Sequence, residues 1–139
     1  MRRWQAALAG AAAALVWAAL EPIDTRIFRN DYSDVAMLGK FVTRTRAWPL
    51  AGIVLHTANG ALFGLAFDEA RKRTSVPPRR LALSLALAEH VSLFPLSYIV
   101  DRKHPARGEP GVDKLFNARG FAQATARHAL FGFALGRLA

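Results

Sequence analysis

The chain contains no cysteine, and it has only 10 acidic residues against 19 lysines and arginines. The missing cysteine excludes a disulfide framework, thiolate catalysis and any Cys-based zinc site. No phosphate-cradling glycine loop, Gly-x-Ser-x-Gly elbow or His-Glu-x-x-His pair occurs. Those absences remove the common signatures of nucleotide enzymes, serine hydrolases and zinc proteases. The expectation is therefore a protein that is not an enzyme and carries no cofactor. The acid deficit leaves a formal charge of +9. In a soluble domain that excess would suggest nucleic acid. Here no nucleic-acid motif is present and the basic residues flank apolar runs, which suits anionic lipid headgroups.

Charge is also missing locally. Hydrophobic residues make up 53% of the chain and charged residues 21%, but the two are segregated. Four stretches, approximately 4–20, 48–67, 81–100 and 120–138, are nearly free of charge and about the length of a membrane span. A soluble bundle would spread charge along each helix at a 3.6-residue period. The pattern predicts one all-α domain over residues 1–139: a membrane four-helix bundle, multi-pass in the inner (plasma) membrane.

The first run, Trp4 to Leu20, follows Arg2 and Arg3 and resembles a signal peptide. Its length and the tryptophans at positions 4 and 17 favour a retained helix. Pro22 is expected to end it at Glu21. Asp24 to Arg46 is polar. Asp31 or Ser33 could cap a short interfacial helix carrying Val35, Leu38, Phe41 and Val42, with a plain loop as the alternative. Thr74 to Pro78 reads as a turn, and Pro95 should kink the third helix. The fourth run is the least apolar, because Arg127 interrupts it.

The run from Ala51 to Phe67 has Gly52, His56, Gly60 and Gly64 at four-residue steps, so they share one helix face. The spacing returns at His128, Gly132 and Gly136. Two further features recur in the same order: an arginine pair followed 22 residues on by an aspartate (Arg2 and Asp24; Arg79 and Asp101), and Phe-x-x-Arg (Phe41 to Arg44; Phe116 to Arg119). Two tandem two-helix repeats, 1–72 and 73–139, would explain the agreement, as would chance on a shared membrane composition. A near-symmetric bundle would bring His56 and His128 face to face.

Ionisable groups inside apolar segments are costly, so they face protein and seek partners. His56, Asn59, Glu89, His90, Arg127 and His128 form the candidate midplane cluster, with Glu89 and Arg127 expected to pair. Three roles fit the histidines. They could hydrogen-bond between helices packed on small residues, form a proton or metal-ion path, or supply two axial ligands to haem. No spacing in the sequence assigns a metal.

The stretches HTANGALFGLAFDEARKR and FAQATARHALFGFALGRL resemble small four-span bacterial inner-membrane proteins of the YagU type. That resemblance implies architecture and little biochemistry. The leading functional expectation is a structural or interaction role in the lipid bilayer, as a homo-oligomer or with a larger membrane partner. The glycine face of Gly52, Gly60 and Gly64 is the candidate contact, packing either within the bundle or on another chain. The alternative is proton or metal-ion transport through the cluster. Eight of the 19 basic residues fall on the side of the termini and the 71–80 turn. The count, with the remaining 11 on the other side, favours cytoplasmic loops, whereas the dense charge of that turn favours cytoplasmic termini, the orientation expected here.

Overall fold

A computed structural model describes residues 2–139. Its helices are α1 (Arg3–Phe28), α2 (Asp34–Val42), α3 (Trp48–Arg71), α4 (Pro78–Leu93), α5 (Ser97–Lys103) and α6 (Ala118–Leu138). A 3₁₀ turn at Phe94–Leu96 joins α4 to α5. No strand occurs among the described residues; Tyr32 and Val112 form an isolated antiparallel bridge. Three helical stretches are long and apolar enough to cross a membrane: Arg3–Phe28, Trp48–Arg71 and Pro78–Lys103. α6 is long enough but less apolar than these, as its arginines foretold.

Several ends differ from the sequence expectations. α1 does not stop before Pro22 but runs through it to Phe28. A proline inside a helix forfeits one backbone bond. Here the continued helix delivers Glu21 and Asp24 to a buried arginine, described below, which offsets that cost. The helix closes at Arg29 in the left-handed conformation (φ 51°). Pro78 belongs to α4 rather than to the preceding turn, since the first helical position does not need its N–H. Pro95 produces the expected break as the 3₁₀ turn, where the Ser97 hydroxyl donates to the Phe94 carbonyl at 2.6 Å. The polar 24–46 region contains a helix, α2, capped by Ser33, whose Oγ accepts from the Ala36 N–H at 3.1 Å. α2 buries Ala36, Gly39 and Lys40 and turns Phe41 and Val42 outward.

Side-by-side order in the bundle is α3, α1, α6, α4, with neighbours antiparallel. Small residues set the closest approaches. A Cβ on Gly10 would lie 2.0 Å from the Gly60 carbonyl oxygen, and one on Gly64 would lie 2.1 Å from that of Ala6. Gly132 and Gly136 rest on Ala82, Leu83 and Arg79 of α4 in a similar way. Gly52 packs on Val35 of α2. The glycine face is thus consumed within the bundle and is not free for another chain. Ala13, Trp17, Phe67, Ala86, Phe131 and Leu135 fill the centre. The outer surface exposes large apolar side chains, with Leu50, Leu62, Val91 and Phe133 all more than half exposed.

The polar segments gather at one end. Backbone bonds from Ser33 to Gly111 (2.8 Å) and from Asp113 to Asp31 (3.1 Å) lace the first loop to the second. His104 is buried there. Its Nε2 donates to the Met37 carbonyl at 2.8 Å and its Nδ1 accepts from the Ala106 N–H at 3.0 Å.

Candidate functional site

Arg127 and His128 are consecutive, so their side chains leave α6 about 100° apart. Arg127 turns toward α1 and His128 toward α4. Arg127 is buried and does not pair with Glu89. Its Nε and Nη2 donate to both oxygens of Asp24 at 2.7 and 2.6 Å, a bidentate fork. Nη1 donates to Asp34 at 2.8 Å and stands 3.6 Å from Glu21, while Nη2 also donates to the Tyr32 carbonyl at 2.7 Å. Three carboxylates therefore surround one guanidinium.

Each carboxylate has a second anchor. Glu21 accepts from the Ser33 hydroxyl at 2.5 Å and from the Asp34 N–H at 2.7 Å. Asp34 accepts from the Trp17 indole at 3.1 Å. Asp24 accepts from the Gln123 amide at 2.8 Å, and Gln123 in turn accepts from Asn30 at 2.8 Å. The network ties α1, the 29–33 loop, α2 and α6 into one unit. Tyr32, buried beside it, has its phenol pushed above the ordinary value, first by burial and then by the Asp34 charge. Asp24 stood out from the sequence only as a marker of the repeat, and Glu21, Asp34 and Gln123 did not stand out as site residues. An acid beyond an apparent helix stop looks solvated until the helix is known to continue.

His56 and His128 do not face each other. Trp17 lies between them, edge-on to both, at 5.2 Å from His56 and 4.8 Å from His128. Trp17 is accordingly a buried core residue rather than an interfacial one. His56 Nε2 donates to the Ala14 carbonyl at 3.0 Å and His128 Nδ1 to the Ala124 carbonyl at 2.7 Å. A carbonyl only accepts, so these bonds fix each ring's neutral tautomer and leave His56 Nδ1 and His128 Nε2 bare. A bis-histidine haem does not fit, because the indole occupies the space a macrocycle would need. Among the described residues no three His, Asp or Glu side chains gather as a metal site.

His90 stacks near His128, ring centres 4.9 Å apart, and its Nε2 lies 2.9 Å from the Thr125 hydroxyl. That hydroxyl donates to the Phe121 carbonyl at 2.8 Å, so His90 is the donor. Glu89 lies elsewhere on α4. His128 Nε2 is 4.0 Å from its carboxylate, beyond hydrogen-bond range, and it has no hydrogen-bond partner among the described residues.

Glu89, His128, His56 and Asn59 line one cavity of about 340 Å³, with Ala14, Trp17 and Asp34 also on its wall. α3 and α4 barely touch, so the cavity is a cleft between them over the α1–α6 pair. Leu55, Phe63, Leu93 and Phe131 supply its apolar walls. Of the six candidate cluster residues, four meet here. Arg127 belongs to the neighbouring network and His90 to a contact with α6. Asp34 is common to the cleft and the network.

Comparison of the chain with protein-family models, with curated proteins and with solved structures returns no match.

Proposed function

We propose that the chain is a multi-pass membrane protein whose α3–α4 cleft accepts and releases protons, with Glu89 as the titrating group. The observation that carries this reading is the position of Glu89. A carboxyl within an apolar helix, lining a cavity without a hydrogen-bond partner, is maintained at a cost and calls for a use. His128 offers a bare ring nitrogen at 4.0 Å, so a proton on either group would draw the two together. His56 offers a second bare nitrogen on the same cavity. Asp34 and Trp17 lead from the cleft toward the Arg127 network and the polar loops, a direction in which protons could pass.

The architecture around this site is proposed as four passes in the inner membrane with cytoplasmic termini, α6 making the fourth. The paired antiparallel hairpins, α1–α3 and α4–α6, with glycines at corresponding places, support two tandem repeats. The YagU-like resemblance agrees with that arrangement.

The test is proton flux into vesicles carrying the purified protein and an internal pH dye. Wild-type vesicles should exceed protein-free ones, and Glu89→Gln should lower the excess at least about tenfold. His56→Ala should lower it less. Flux equal in protein-free, wild-type and variant vesicles would remove the proposal.

A second reading, the structural or interaction role, is favoured by the open side of the cleft. Exposed Leu55 and Leu93 rim it, and a helix of a second copy or of a larger membrane partner would cover both. Cross-linking between cysteines introduced at those two positions in separate copies would support that role.

A further inference from the structure

At the loop end, a separate and larger open cavity of about 1270 Å³ lies among the end of α1, α5, the second loop and the start of α6. Five cations line it: Arg29, Arg102, Arg107, Lys114 and Arg119. None lies within 4.0 Å of a carboxylate among the described residues, although six other basic side chains do. The two acids on its wall are engaged in holding backbone. Asp101 accepts from the N–H groups of Leu115 and Phe116 at 2.9 and 2.8 Å, and Asp113 from that of Asp31 at 3.2 Å.

The first turn of α6 carries no acid to balance its helix dipole. Its cap, Asn117, and Ala118 border the same space. Two of the cations are held in place: Arg102 donates to the Tyr98 hydroxyl and lies over its ring, and Arg107 donates to the His104 carbonyl at 3.4 Å. Tyr98 and Phe116 form an exposed, edge-to-face aromatic pair on the rim, with ring centres 5.6 Å apart.

We infer that this cavity binds the phosphate-bearing headgroup of an anionic membrane lipid. Charge complementarity selects the headgroup: five cations without a carboxylate partner and a helix N-terminus converge, and the acids on the wall are occupied elsewhere. Position selects a lipid over a free anion. The site opens where α1 and α5 end, at the level where a bilayer's phosphates meet the spans, and aromatic rings at that level are where lipid-anchoring side chains belong. The cavity's size exceeds what inorganic phosphate would fill.

The experiment is native mass spectrometry of the full chain in detergent, titrated with dioleoylphosphatidylglycerol or dioleoylphosphatidylcholine. The wild type should bind the anionic phosphatidylglycerol at least about tenfold more tightly than the zwitterionic phosphatidylcholine. Arg29→Gln, Lys114→Gln and Arg119→Gln together should abolish that preference, and Arg119→Gln alone should reduce it about fivefold. The matched triple at the other end, Arg73→Gln, Arg79→Gln and Arg80→Gln, should retain it. Equal binding of both lipids by the wild type overturns the site. So does an equal loss in both triples, which would mean attraction by net charge alone. Displacement of the lipid by inorganic phosphate at the lipid's own concentration would assign the cavity to a free anion instead. Should the loop triple aggregate, the Arg119→Gln result decides: an unchanged preference there also overturns the site.

Discussion

Arg127 shows how a single residue can be placed correctly inside a protein and given the wrong partner. A charge in an apolar helix must be matched, and Glu89 is the nearest acid in an apolar segment. The match comes instead from Asp24, Asp34 and Glu21. Removing the guanidinium would leave the buried Glu21 and the partly buried Asp24 and Asp34 around an empty centre. Arg127→Met is expected to destabilise the protein by about 3–5 kcal/mol. In a double-mutant cycle on detergent unfolding, Arg127→Met and Asp24→Asn should couple by about 1–3 kcal/mol. Arg127→Met with Glu89→Gln should add to within about 0.5 kcal/mol. The reverse ranking of the two couplings would contradict the network described here.

At the scale of helices, contact between backbones decides the packing. Gly10 and Gly60 let α1 and α3 approach until a single methyl would collide with a carbonyl. Association of helices in lipid rests on such close packing, because burial of apolar surface offers little there. Gly10→Ala should therefore cost about 1–3 kcal/mol or more through overpacking. Leu15→Ala, on the exposed side of the same helix, should change stability by about 0.5 kcal/mol or less. Thermal unfolding in detergent of the two variants gives the comparison, and similar midpoints would rule out the tight α1–α3 seam. The same argument explains why the glycines cannot serve a partner protein.

For the whole molecule, an apolar exterior surrounds a core of small and aromatic residues with the Arg127 network beside it, and the loops are knitted together at one end. An exterior with Leu50, Leu62, Val91 and Phe133 exposed is compatible with a surround of lipid, one of the settings such apolar patches mark. The expressed protein should sediment with membranes and remain there after alkaline carbonate extraction. Recovery in the soluble fraction without detergent would overturn the membrane reading. The cleft and the loop cavity sit at different levels of this body, so the proton-flux and lipid-binding variants can be separated cleanly.

The sequence by itself determined the helical class, the apolar segments, the turn between α3 and α4 and the inward placing of His56, His90 and Arg127. Those follow from local rules: spacing along a helix, the cost of charge in an apolar run, and the backbone limits of proline. Only the tertiary structure decided which charges meet. Whether α1 stops at Pro22 is a balance between one lost hydrogen bond and the bidentate pairing of Asp24 with Arg127, and the second quantity exists only once α6 has docked. The place of Trp17 between His56 and His128 was equally hidden, since a tryptophan at the end of an apolar run is as suited to an interface as to a core. Pairing across about 100 residues is set by the order in which helices stack, and no local pattern in the chain encodes that order.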